Sequence, residues 1–366
     1  MAASEPMFIV DAHQDIGFNY IEEGRDFLRP ALEKRAREDN SPEALRGRGL
    51  ATLSLPDALR GHIALIFSTL YVCPEWSRFG AKVRYETPDQ AHEQALAQVN
   101  YYRQLADRDA RLMVVRSQSD LDTVLDSWRD EAVPLEERKL GLIILMEGAD
   151  PIREPRELEM WYHEQGVRIV GPAWSETRYS GGTKRPGPLT ALGFELLERM
   201  AGLGMLLDLS HLAEKAYYQA LDRYPGPLIA SHSNPRHFVN SDRMLSDEMI
   251  TMLAERDGVV GMVPFNRFLV ADWKDGTPKE QVTIDHYIGI IDYVCQLTGS
   301  ARYVGIGSDW DGGFGSESLP YQFDTIADLW LLRDALQERG FKEEEVRSIL
   351  GGNFVRLTRQ ALPSSV

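Results

Sequence analysis

A chain of 366 residues that is 43% hydrophobic can bury a large core, and it fits either two ordinary domains or one α/β barrel with insertions. A formal charge of −16 repels nucleic acid and anionic membrane, so neither is expected as a partner. No apolar run reaches the roughly 18 residues of a membrane span, the start MAASEPM lacks a signal core, and the two cysteines are too few for a disulfide framework, so the expectation is a cytoplasmic protein with buried thiols at Cys73 and Cys295.

Along the chain, short runs rich in Val, Ile and Leu alternate with stretches of helical period. The runs fall at residues 8–12, 63–72, 140–146, 168–172, 205–209, 227–230, 259–265 and 303–307. None alternates cleanly, so each reads as a strand buried on both faces of a parallel sheet. Residues 16–62 are charged and helix-prone. Residues 74–139 hold a long helix near 90–105, a short strand at 112–115 and a second helix near 120–128.

Further on, Leu196, Leu197, Met200 and Leu203 form an apolar stripe ended by Gly204. Ser246, with Asp247 and Glu248 after it, opens another helix, and Thr283 caps a third that buries Ile284, Tyr287, Ile288, Ile291 and Cys295. Residues 324–339 and 342–350 read as closing helices, with a break at Gly351, Gly352 and Asn353. With no low-complexity linker or repeat, residues 1–366 read as one domain. Eight strands alternating with helices predict an α/β fold of the (β/α)8 TIM barrel type, with insertions after strands one and two and extra C-terminal helices. A doubly wound open sheet would favour a glycine-rich phosphate turn after the first strand, and DAHQD is no such turn.

In a barrel, active groups gather where strands end at the C-terminal face. The first run ends in His13 and Asp15, which share a face at i and i+2. The third ends in Glu147, the fifth in His211, the sixth in His232 and the eighth in Asp309, so three of the chain's 8 histidines stand at strand ends. One histidine after a strand is ordinarily a hydrogen-bonded structural residue. Three imidazoles and three carboxylates on one rim exceed the needs of one tetrahedral ion and fit two ions sharing a carboxylate, with Glu147 the natural bridge. Such a site suits amide hydrolysis.

The segments FIVDAHQD, LMEGAD, DLSHL, ASHSN and GIGSDWDG together resemble the membrane (renal) dipeptidase family, a metallopeptidase branch of the amidohydrolase-type barrels, from residue 8 to Asn353. The resemblance implies two Zn2+ per chain, or other divalent ions suited to N and O donors. By it, His13, Asp15 and Glu147 hold one ion, and Glu147, His211 and His232 hold the other. Asp309 moves the proton as a hydroxide held between the ions attacks. The implied substrate is a dipeptide or similar small amide, with a D-residue admitted at the C-terminal position. RIVGPAW carries no lysine of the kind that bridges metals in many related barrels, which leaves bridging to Glu147.

By the same resemblance Arg243 grips the substrate carboxylate, a task suited to a guanidinium. Trp174 stands where many relatives carry a histidine against the tetrahedral intermediate, and Arg178 or Tyr179 is the expected replacement donor. The segment SGGTKRPGP reads as plain loop. His62 precedes a strand, at the opposite end of the barrel. His92, His163 and His286 read as outer-surface residues, His237 is left open, Asp311 as a ligand-orienting or loop-capping residue, and Asp208 as structural. A related amidohydrolase acting on N-acyl amino acids or lactones is the alternative, and a noncatalytic scaffold a more distant one. A homo-oligomer is compatible with all of these readings.

Overall fold

The computed structural model describes residues 6–77 and 79–365. Eight strands form the barrel in chain order: β1 (Ile9–Gln14), β2 (Ile63–Tyr71), β3 (Leu140–Glu147), β4 (Val167–Gly171), β5 (Leu206–Asp208), β6 (Leu228–Ala230), β7 (Val259–Met262) and β8 (Val304–Ile306). Every neighbouring pair is parallel, and β1 joins β8 while β2 joins β3, which closes the barrel. The near-continuous apolar strands follow from this closure, since side chains inside the barrel and under the helices are both dry.

The short strand foreseen near 112–115 is real, over Leu112–Val114. It pairs with the first half of β3, where Met113 lies opposite Gly141, and β4 takes over along the second half. The insertion after β1 folds as the helices Ile16–Glu23, Ala31–Arg35, Pro42–Leu45 and Leu55–Arg60. The insertion after β2 holds the long helix Pro88–Arg108, started by a capping box in which Thr87 and Gln90 satisfy each other's amides. Cys73 and Cys295 are buried free thiols. Among the described residues no helix is long and apolar enough to cross a membrane.

Three expectations are corrected. The break at Gly351, Gly352 and Asn353 does not occur: the chain passes through a π-helical turn, Ser348–Gly352, straight into the helix Asn353–Ala361. Asn353 Nδ2 donates to the carbonyls of Ala301 at 2.7 Å and Val304 at 2.8 Å, anchoring the junction to the base of β8. His92 is buried rather than outward-facing, its Nδ1 lying 3.0 Å from the carbonyl of Pro151 and its ring edge-on to Trp161. The segment after β4 is not plain loop but an antiparallel hairpin, Ser180–Gly182 with Arg185–Leu189, folded back over the barrel mouth.

Two glycines set how closely the strands converge beneath the mouth. A Cβ on Gly261 or on Gly307 would lie 1.9 Å from the Ser231 carbonyl oxygen, so β7 and β8 admit that carbonyl only because both positions lack side chains.

Candidate metal centre and active site

His13 and Glu147 belong to strands β1 and β3, while Asp15, His211, His232 and Asp309 follow immediately after strand ends, so all six project from the C-terminal face. The structure brings them together. His211 Nε2 lies 3.0 Å from His232 Nε2 and 3.2 Å from Glu147 Oε1, and His232 Nε2 lies 3.4 Å from the same oxygen. Donors around one tetrahedral ion at 2.0–2.1 Å would be about 3.3 Å apart. His13 Nε2 stands 3.7 Å from Glu147 Oε2 and 3.9 Å from both Asp15 Oδ1 and Asp309 Oδ1. That atom is buried with no hydrogen-bond partner, which is costly unless a cation takes its lone pair. These donors fit metal ions. Asp309 stands close enough to ligate as well as to move a proton, and its side chain is the most open of the three carboxylates at 15% exposure.

Hydrogen bonds behind the imidazoles aim their free nitrogens at the centre. Ser231 Oγ donates to Asp208 at 2.5 Å and so must accept from His232 Nδ1, 2.8 Å away, leaving Nε2 as the lone-pair atom. Thr183 Oγ1, at the tip of the hairpin, does the same for His211 Nδ1 at 3.0 Å. Asp208 also accepts from the amides of Ser210 and Ser231, clamping the two histidine-bearing loops to one another. Thr69 donates to Asp15. Asp11 accepts from the amide and hydroxyl of Ser308, fixing the loop that presents Asp309.

His211 and Asp309 are held at φ 66° and 56°, conformations that non-glycine residues rarely adopt and that cluster where geometry is functional.

The electrostatics are those of a site that expects positive charge. Burial, followed by the nearby charges of Asp15 and Asp309, pushes the Glu147 carboxyl well above its usual range. Burial and then Asp15 do the same for Asp309, and burial raises Asp15 to about 6. Burial, with Arg243 adding to it, holds His13, His211 and His232 well below the ordinary histidine value, so all three are neutral and free to ligate.

A cavity of about 420 Å³ opens over this centre, lined by Asp15, Glu147, His211, Arg243, Asp309 and a wall of aromatic rings. Arg243 donates to the His232 carbonyl at 2.6 Å and to Ser233 Oγ at 3.1 Å, and its guanidinium sits over the Phe268 ring. Trp174 lines the cavity, its ring 6.3 Å from that of His211.

Arg178 and Tyr179 do not reach the cavity, which corrects their expected role. Arg178 spends its guanidinium on the carbonyls of Asp150, Ile152 and Arg153, and the Tyr179 hydroxyl donates to Ile152 at 2.5 Å. The cation that does stand beside Trp174 is Lys184, 5.5 Å above its ring. Asp311 is a clamp: it accepts from the amide and hydroxyl of Thr52 and faces Arg25 at 3.7 Å. His62 stacks on Trp330 and His237 on Tyr293, both away from the centre. Sequence reading missed Thr183, Ser231 and Lys184. The hydroxyl directly before His232 was the one available signal.

Residues 3–364 match the sequence profile of the membrane dipeptidases, peptidase family M19. A Klebsiella pneumoniae chain described as an uncharacterized protein in the pqqA 5′ region is 31% identical over 234 residues, 61% of this chain and 83% of that one. Dipeptidase 3 of Rattus norvegicus is 24% identical over 363 residues, 96% of this chain and 64% of that protein. The fold matches that of a metallopeptidase from Rhodobacter sphaeroides, solved with a phosphinate mimic of the dipeptide L-Ala-D-Ala, at TM-score 0.78 and 24% identity over 97% of this chain and 99% of that one. A profile match over nearly the full length, on a barrel whose strand ends carry this donor set, means that the chain belongs to the membrane dipeptidase family, peptidase family M19, and is an enzyme of that family.

Proposed function

We propose that the protein is a binuclear zinc dipeptidase that hydrolyses the amide bond of dipeptides bearing a free C-terminal carboxylate, with an L- or D-residue at that position. The observation that carries the reading is the spacing of His211, His232 and Glu147 at 3.0–3.4 Å, with the unpartnered His13 Nε2 on the other side of the same carboxylate. His13, Asp15 and Glu147 would hold one ion, and Glu147, His211 and His232 the other. When bound, the ions would supply Lewis acidity and lower the pKa of water at the centre.

The chain's own groups do the rest. Arg243, already desolvated and held by the His232 carbonyl, receives the substrate carboxylate and fixes which amide lies over the centre. Asp309 is the proton carrier, taking a proton from the attacking water and returning it to the departing amine. The L-Ala-D-Ala mimic bound by the Rhodobacter sphaeroides protein supports a substrate of this size.

Metal analysis and a substrate panel test this. About two zinc ions per chain with turnover of L,L or L,D dipeptides is the expected result. Turnover confined to N-acyl amino acids or lactones would move the protein to another amidohydrolase activity, and absence of bound metal after zinc loading would leave a noncatalytic barrel.

A further inference from the structure

The cavity is lined by two groups of aromatic rings. On the side of β6 to β8, Phe265, Phe268 and Phe314 pack together, with Phe265 and Phe314 stacked at 4.0 Å and Arg243 over Phe268. On the side of β1 to β4, Tyr71 meets Phe18 at 4.9 Å and Trp174 at 5.0 Å, and Phe79 closes the group at 5.9 Å from Trp174. All four of these rings line the cavity. Tyr71 is register-paired with Glu147, and Trp174 neighbours His211, so this second wall begins directly at the centre.

The polarity of the substrate follows from the proposed dipeptidase reading, on which this inference rests. If Arg243 holds the C-terminal carboxylate and Asp309 faces the departing amine, the C-terminal residue lies on the β6 to β8 side. The acyl half of the scissile bond then points away from Arg243, toward Phe18, Tyr71, Phe79 and Trp174. We infer that these four rings form the subsite for the N-terminal side chain and that they select a large apolar residue, aromatic above all.

Edge-to-face rings leave π faces and C–H edges for another ring. Lys184 sharpens the selection. Its ammonium lies over Trp174, and among the described residues it has no carboxylate partner, so it repels a lysine or arginine side chain entering the same space. Glycine and alanine would leave the rings uncovered.

The experiment uses the zinc-loaded full chain and dipeptides with a fixed C-terminal alanine, in its L and D forms, and an N-terminal L-Phe, L-Leu, L-Ala, Gly or L-Lys. Expected is a kcat/KM for the L-Phe substrate at least about tenfold above that for L-Ala, with L-Lys lowest. Phe79→Ala should shrink the Phe-to-Ala ratio to within about threefold, and Lys184→Met should raise the rate on L-Lys relative to L-Leu. A wild-type ratio that is flat or favours alanine, with dipeptides still cleaved, overturns the subsite and spares the dipeptidase reading. Cleavage of none of the dipeptides overturns the reading itself and the subsite with it.

Discussion

The hydroxyl of Ser231 lies 2.8 Å from Nδ1 of the neighbouring His232 and donates its own hydrogen bond to Asp208, so one serine fixes the tautomer of a candidate metal ligand from behind. Ser231→Ala should therefore weaken zinc binding by about 10–100-fold while leaving the fold intact. Competition with a chromophoric chelator measures it; unchanged affinity would mean that His232 is oriented by packing alone.

Asp309→Asn keeps the size and hydrogen bonding of the side chain but cannot carry a proton. It should retain close to two ions by elemental analysis and lose about 10²–10⁴ in kcat. If the variant instead arrives with one ion, Asp309 is a ligand, as its 3.9 Å distance from His13 Nε2 would also allow.

Arg243→Met should raise KM for dipeptides by roughly 10–100-fold, the worth of a charge-assisted hydrogen bond, and barely alter the already poor binding of the same dipeptides as C-terminal amides. Equal losses on acid and amide would place the carboxylate elsewhere.

Stripping the metal should make stability fall as pH rises. A carboxyl whose pKa is raised by folding binds its proton more tightly in the folded chain, so its contribution is full below the unfolded value near 4 and is lost as pH climbs through the folded value. Asp15, at about 6, puts its loss between about pH 4 and 6, and Glu147 and Asp309, both raised well above their ordinary values, extend it to higher pH. Thermal melts in chelator should drop between pH 5 and 8. With zinc present the trend should weaken or invert, because protons then compete with the ions. A flat profile in chelator would show that water reaches these carboxylates.

Gly261→Ala or Gly307→Ala should destabilise the protein by about 1–3 kcal/mol, since a methyl 1.9 Å from the Ser231 carbonyl must displace backbone. Because that backbone carries His232, metal affinity should fall together with Tm. Loss of one without the other would separate the glycines from the site.

The barrel and the convergence of its six donors were legible because both obey local rules: buried parallel strands read as unbroken apolar runs, and the imidazoles and carboxylates stand at or just past their ends. The supports were less legible because they act at a distance. Thr183 meets His211 from a hairpin 28 residues earlier in the chain, and nothing in SGGTKRPGP announces that fold. Arg178 and Tyr179 were misjudged for the converse reason: they sit close in sequence to the site, but the unpaired carbonyls of residues 150–153 claim their donors first. The helix through Gly351 and Gly352 persists because Asn353 is pinned to the base of β8, a tertiary contact that outweighs the low helix propensity of glycine.

The hairpin joins two duties on adjacent residues, since Thr183 braces the His211 imidazole and Lys184 overhangs the cavity. On the proposed reading, whatever lifts the rim to admit a bulky ligand would also slacken the brace on His211, so occupancy by ion and occupancy by ligand would be thermodynamically linked, each altering the other by the same factor. A protease nick within residues 183–188 would thus register as a leaking cation before any loss of the barrel.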